Sequence, residues 1–370
     1  MLGVSIYFST PFEENEEYLN RVSKYNIKYV FTSLQIPEEN QVDQLNLLKK
    51  IIDLTNRLKM KLMIDISPHT FEKFGIKEEE RINFLKELDA KCVRIDYGFS
   101  MEEIKIFSEN FEVILNASTI DGQFYDKGIE VGVDFSSLIA CHNFYPRKDT
   151  GLDKGWLVEK NKRLKSYGLK TMMFIPGDEV KRGPVFEGLP TIENHRNQLP
   201  LLNYIECVEK LSIDEVIVGD VRISEKELEK IDFYKNHHIL LLEVSYLIDL
   251  DFANIVLSNR KDVAMNVVRC VESRTVLKKA NIVPFNTIAR EVGFITIDNE
   301  LYGRYQGELQ IVKKPLLADE RVNIIGKVSE NSIKLLDFIK EGTKFKFVGV
   351  EEWWKQLCWF VMQGCRQVYL

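Results

Sequence analysis

The chain has 370 residues, 45% hydrophobic and 29% charged, a balance that excludes a disordered chain and calls for a large buried core in more than one domain. Lys and Arg total 50 against 56 Asp and Glu, a net charge of −6, which leaves no basic surface for nucleic acid and favours a small-molecule partner. No run of 18 uncharged apolar residues occurs, and the opening MLGVSIYFSTPFEE lacks a basic segment and a cleavage site, so a soluble, cytoplasmic protein without a membrane partner is expected.

From residue 4 to 220, short β-branched or apolar runs alternate with longer amphipathic stretches, the pattern of βα units around a parallel sheet. The runs are VSIYFS (4–9), YVFTSL (29–34), KLMIDIS (61–67), CVRIDYG (92–98), EVILNAS (112–118), LIACHNFYP (138–146), KTMMFIPG (170–177) and EVIVGD (215–220). Eight such units close a (β/α)8 TIM barrel. Apolar residues at helical spacing predict helices over 14–24, 40–59, 77–89, 101–110, 154–167, 192–211 and 224–234. The segment 119–134 carries Gly122, Gly128 and Gly132 and is expected to hold at best a short, poor helix.

Alternation within the strands assigns Val4, Ile6, Phe8, Leu62, Ile64, Ile66, Val93, Ile95, Val113 and Leu115 to the helix side. The interior set is then Ser5, Tyr7, Ser9, Met63, Asp65, Ser67, Arg94, Asp96, Asn116 and Ser118, a polar interior towards the C-terminal mouth, where active sites of such barrels lie. Near residue 236 the pattern changes to strand-like runs such as ILLLEVSYL, FITIDN and KFKFVGV. The predicted domains are 1–236, a barrel; 237–350, mostly β; and 351–370, an aromatic-rich tail whose role is open.

Two loops at the predicted mouth are rich in chemistry. CHNFYPRKDTGL after strand six brings His142, Asn143, Tyr145 and Arg147. FIPGDEVKRGPVFEGLPTIENHR after strand seven brings Asp178, Glu179, Lys181, Arg182, Glu187, Glu193, His195 and Arg196, and loops this long inside a compact domain are commonly functional. Guanidinium groups beside hydrogen-bonding groups and an aromatic platform suit a sugar carrying an anion. Carboxylates at strand ends, Asp65, Asp96, Asp178 and Asp220, with Glu187, supply acid–base candidates for glycoside hydrolysis. Asp96 also reads as a structural ion pair with Arg94, and Asp220 as a helix N-cap. His69, His142 and His195 fall beyond strands three, six and seven, but no HxH or HExxH pair occurs and no metal is assigned. Six scattered cysteines, at 92, 141, 207, 270, 358 and 365, read as reduced and mostly buried. No GxGxxG, P-loop or GxSxG pattern is present, so neither a nucleotide cofactor nor a serine nucleophile is expected.

GVSIYFS, HNFYPR with TGL, FIPG…RGPVFEGLPTIENHR and VGD, followed in order by NRKD, ESR, PFNTIAR, ITIDN, YGRYQGELQI and RVNIIGKV, resemble the bacterial "outer surface protein" family over about residues 1–350. The resemblance implies a TIM barrel followed by a cyclophilin-like β domain. It also implies a 6-phospho-N-acetylmuramidase, cleaving 6-phospho-N-acetylmuramyl-N-acetylglucosamine in cell-wall (peptidoglycan) recycling. A phosphorylated amino-sugar disaccharide carries a phosphate and a lactyl carboxylate, for which Arg147, Arg182, Arg196 and, from the second domain, Arg304 are the expected ligands. Asp65, Asn116, His142, Asn143 and His195 complete the expected substrate-binding set. Asp96 and Glu187 are the leading acid–base pair, with Asp178 and Asp220 as rivals, in a reaction where the 2-acetamido carbonyl can serve as nucleophile. The second domain would either touch substrate or make a homodimer. A metal-dependent sugar-phosphate isomerase or aldolase and a non-catalytic carbohydrate-binding protein are the alternatives.

Overall fold

The computed structural model describes residues 1–34, 41–248, 252, 253, 255–276 and 281–349, the side chains of 41–43 and 274 excepted. The expected tail 351–370, with Cys358 and Cys365, and the first residue of the expected helix 40–59 lie outside the described residues. The chain divides into two compact units between Ile231 and Asp232.

In the first unit, β1 (Leu2–Ser5), β2 (Tyr29–Ser33), β3 (Lys61–Ile66), β4 (Cys92–Ile95), β5 (Glu112–Asn116), β6 (Ile139–Cys141), β7 (Lys170–Ile175) and β8 (Glu215–Val218) form a closed parallel barrel in sequence order. This is the TIM barrel expected from the eight apolar runs, and β1 pairs with β8 to close it. Its helices are α1 (Phe12–Val22), α2 (Gln41–Arg57), α3 (Pro68–Lys73), α4 (Arg81–Glu87), α5 (Met101–Asn110), α6 (Gly122–Val131), α7 (Lys154–Ser166) and α8 (Pro200–Glu209), and α9 (Glu225–His237) runs across the division between the units.

Four helices correct the sequence reading. The segment 119–134 holds a full helix, α6, because each glycine has a position that suits it. Asp121 caps the N-terminus through Phe124 N–H, and Gly132 ends the helix at φ 85°. Gly128 lies so close to Phe135 that a Cβ would meet the ring at 2.4 Å. The predicted helix 192–211 starts only at Pro200, the favoured first position of a helix, and 192–199 belong to the preceding loop. The predicted 77–89 helix is confined to α4 after a single 3₁₀ turn, Glu78–Glu80, and the short α3 before it was not anticipated.

The barrel interior is layered. In one register row Phe31, Met63 and Cys92 stand side by side, and with Ile114, Ile139, Cys141, Met172, Phe174 and Ile217 they form a dry core. The next row towards the mouth is Ser33, Asp65 and Arg94, directly paired across β2, β3 and β4. The polar row at the mouth thus rests on apolar packing, and a second polar set, with Lys28 paired to Glu215 and Lys61 to Glu112, closes the opposite end of the strands.

The second unit carries a seven-stranded sheet of β9 (Ile239–Leu247), β10 (Leu257–Ser258), β11 (Val267–Arg269), β12 (Phe294–Asp298), β13 (Leu309–Val312), β14 (Val322–Val328) and β15 (Lys344–Gly349). Its order is β10-β15-β9-β14-β12-β13-β11, antiparallel except for the β15–β9 pair. It is the smaller, mostly β unit. Asn323 and Asn286 tie the 283–286 segment to β14 through Phe285 N–H, Val283 C=O and Ile324 C=O, which gives the asparagine of PFNTIAR a structural task. Cys92, Cys141, Cys207 and Cys270 are buried free thiols. Among the described residues no helix is long and apolar enough to cross a membrane.

Candidate active site

A cavity of 230 Å³ opens at the C-terminal mouth of the barrel, lined by Phe31, Ser33, Asp65, Arg94, Asp96, Asn143, Phe144, Tyr145, Phe174 and Arg182. A larger hollow of 620 Å³ lies among Lys61, Lys91 and Glu112, but it is an open surface depression at the other end of the strands, and its charges pair with one another. The mouth cavity is the one framed by buried polar groups.

Its centre is Arg94, buried at 5% exposure. The guanidinium Nη1 donates to Asp65 Oδ1 at 2.5 Å and lies 3.5 Å from Asp96 Oδ1, while Nη2 donates to Asn143 Oδ1. Two carboxylates thus meet one nitrogen, and these oxygens stand no more than about 6 Å apart, a limit that admits the short spacing of paired glycosidase carboxyls. Ser33 Oγ donates to the second oxygen of Asp65 at 3.2 Å. Burial pushes the Asp65 carboxyl above the ordinary range, and the Arg94 charge is the main force opposing it. Asp96 accepts Asn116 Nδ2 at 2.8 Å, and the amide of Asn116 is oriented because its oxygen accepts Ser118 N–H. By the same logic Arg94, taking the oxygen of Asn143, turns that amide's N–H donors away from itself.

The walls are aromatic. Phe31, Phe144 and Phe174 pack edge to face, with centroids 5.1 to 6.0 Å apart. The Arg182 guanidinium lies 4.2 Å from the centre of the Tyr7 ring, and the Tyr7 hydroxyl donates to Gly219 C=O. The cavity therefore combines two carboxylates, amide donors, a cation and apolar faces suited to a sugar ring.

Several expected site residues do other work. Asp220 is fully buried, but it caps no helix. Its carboxylate accepts Gly177 N–H, Arg182 N–H and Leu189 N–H at 2.9, 3.0 and 3.2 Å, stapling the strand-seven loop to the end of β8. Asp178 binds Ser224 N–H and Oγ at the start of α9. Glu187 is exposed and contributes its carbonyl, not its carboxylate, to Arg196. Arg196 is 3% exposed and consumed entirely: Nε and Nη2 bind Glu193, and Nη1 and Nη2 bind the carbonyls of Tyr145, Pro146, Arg147, Glu187 and Gly188. It clamps the two mouth loops together and has no donor left for a substrate. His142 and His195 are fully buried away from the cavity, bonded to Asn161 at 2.7 Å and Glu206 at 3.0 Å, and burial depresses His142 to about 4. His69 is exposed beside Glu72, and among the described residues no three His, Cys, Asp or Glu side chains gather as a metal site. The Arg147 side chain is exposed outside the cavity lining. Arg304 belongs to the second unit, where it stacks on Tyr305 and binds its hydroxyl at 2.7 Å.

Of the expected residues, Asp65, Asp96, Asn143, Tyr145 and Arg182 line one cavity, with Asn116 directly behind Asp96. Arg94 and Ser33 were not expected there. Arg94 belongs to the interior set by strand parity; its expected ion pair with Asp96 is present at 3.5 Å, and its shorter contact is with Asp65, its register neighbour. The aromatic walls carried a usable signal, since Phe31 and Phe174 share the strand parity of the interior set.

Models of the 6-phospho-N-acetylmuramidase N-terminal and C-terminal domains match residues 2–232 and 243–348. The chain belongs to the 6-phospho-N-acetylmuramidase family. Among solved structures, a conserved Enterococcus faecalis protein of unknown function is 34% identical over 95% of this chain and 97% of that one, with a TM-score of 0.84. An uncharacterized B. cereus protein is 28% identical over 94% and 99%, with a TM-score of 0.77. No curated protein matches the chain. Both solved relatives share the two-unit length of this family member, so the match is to the whole architecture and not to a barrel alone.

Proposed function

We propose that the protein is a glycoside hydrolase that cleaves 6-phospho-N-acetylmuramyl-N-acetylglucosamine, within the cytoplasmic recycling of cell-wall sugars. Family membership supports the substrate class, and the observation that carries the chemistry is the Asp65–Asp96 pair facing one cavity across Arg94. This pair replaces Asp96 with Glu187, because the carboxylate of Glu187 lies at the surface.

In this reading the acetamido carbonyl oxygen attacks C1 as the glycosidic C1–O bond breaks, and Asp96 gives its proton to the leaving oxygen. Asp65, ionised against Arg94, accepts the acetamido N–H and balances the positive charge of the oxazolinium. Water then attacks C1, returning a proton to Asp96 and the electron pair to the acetamido oxygen. Arg182, at the rim over Tyr7, is the cation for one anionic group of the sugar. A reducing-end assay on the phosphorylated disaccharide tests the reading. Release of reducing N-acetylglucosamine is expected; binding without release would overturn it in favour of a carbohydrate-binding protein.

A further inference from the structure

Two acidic side chains at one nitrogen raise the question of how the protein makes them unequal. Asp65 has both oxygens engaged, one by Arg94 and one by Ser33, and its side chain is 10% exposed. Asp96 is the more open, at 22% side-chain exposure, and its other oxygen has no partner among the described residues. The register explains the difference. Ser33, Asp65 and Arg94 stand in one row over the apolar layer, whereas Asp96 lies one step beyond β4, at the lip. The carboxylate held from both sides, by an ion pair and a hydroxyl, is fixed in place, whereas the one with a free oxygen at the lip is the more open to an entering leaving group.

We propose that Arg94 is a positioning residue that divides the labour of the two carboxylates: it pins Asp65 as the standing anion and leaves Asp96 to carry the mobile proton. The inference rests on the hydrolase reading above. The charged and titratable groups facing Asp65 are few: Arg94 and Asp96 from β4 and its end, Arg182 from the strand-seven loop, and the Cys141 thiol of β6. Burial pushes that thiol to about 11, so it stays neutral across the working range. Burial holds the Asp65 carboxyl above its ordinary value, and the Arg94 guanidinium in contact with it is the largest force acting the other way. Asn143 holds the far side of the guanidinium and fixes its plane.

The test is the pH dependence of kcat and KM on the phosphorylated disaccharide for the full chain, as wild type, Arg94→Met, Arg94→Lys and Ser33→Ala. Removing the cation lets Asp65 take up a proton more readily. The acid limb of kcat should therefore move up by about one pH unit or more in Arg94→Met, with kcat at neutral pH falling at least about tenfold and KM changing far less. Arg94→Lys, which keeps the charge, should return the limb most of the way. Ser33→Ala should move it in the same direction by a smaller amount, and this variant keeps the ion pair, so it decides the matter if Arg94→Met does not fold. Limbs that superimpose on wild type in Ser33→Ala, and in Arg94→Met where it folds, would overturn the proposal while leaving the hydrolase reading intact. A wild-type protein that releases no reducing sugar would overturn both.

Discussion

The carboxylate of Asp220 accepts the backbone N–H of Arg182 at 3.0 Å, so the cation at the cavity rim is positioned by an acid at the end of another strand. The same carboxylate holds Gly177 and Leu189, and the loop between them is sewn to the barrel. Gly177 permits this approach, because a Cβ there would meet Arg222 C=O at 2.3 Å. Asp220→Asn replaces one acceptor oxygen by a donor facing N–H groups, leaving buried amides unpaired at roughly 1–3 kcal/mol. The expected result in chemical denaturation is a stability loss of that size, with KM for the phosphorylated disaccharide rising more than kcat falls. A collapse of kcat at unchanged KM would return Asp220 to the catalytic set.

Arg182→Ala should raise KM for the phosphorylated disaccharide at least about tenfold more than for the unphosphorylated analogue, since the lost group is a charged hydrogen-bond donor to an anion. Arg147→Ala, with its side chain outside the cavity, should do much less. Steady-state kinetics on both substrates read this out, and equal effects on the two substrates would remove Arg182 from anion recognition.

Arg196→Met should destabilise the barrel by about 3–5 kcal/mol, because it removes the buried cation shared by Glu193 and five loop carbonyls; Glu193 keeps only the N–H groups of Asp149 and Gly151, and Arg147 C=O keeps Thr150. Where the variant still turns over, KM for phosphorylated and unphosphorylated substrates should change by the same factor, the opposite of the Arg182→Ala pattern.

Acid should unfold the first unit through two carboxylates. Arg196 holds Glu193 at about 2, and the His195 hydrogen bond, with help from Lys154, holds Glu206 at about 2, against an ordinary 4.5. Both are lowered on folding, so their stabilisation is complete above pH 4.5 and is lost as the pH falls from there towards 2. Equilibrium denaturation as a function of pH should show that decline, and Glu206→Gln should make it shallower. An unchanged slope would mean that the Glu206 pair is not formed in solution.

Gly128→Ala should cost about 1–3 kcal/mol by overpacking, since the added methyl would stand 2.4 Å from the Phe135 ring. Thermal unfolding would show this as a lower Tm, and an unchanged Tm would mean that Phe135 can move aside.

The sequence by itself determined the barrel. Eight apolar runs at the right spacing admit few other closed parallel sheets, and strand parity put Asp65, Arg94, Asp96 and Asn116 on the interior side. Parity is a local property and can be read locally. The motifs along the chain likewise pointed to the family. What only the tertiary structure decided is which charges face a cavity and which face one another. Arg182 and Arg196 lie 14 residues apart in one loop and are alike as residue types, yet Arg196 turns inward to clamp carbonyls while Arg182 stays at the rim. His142 and His195 follow strands as active-site histidines do, yet both rings are buried against Asn161 and Glu206. A loop's side chains take their directions from contacts with other loops, here through Asp220, Glu193 and the carbonyls of 145–147 and 187–188. Apart from the Glu193–Arg196 pair and the carbonyls of 187–188, those contacts span 31 to 51 positions in the chain, beyond the reach of any local pattern. For the same reason the pairing of Asp65 with Arg94 became visible only once β3 and β4 were laid side by side.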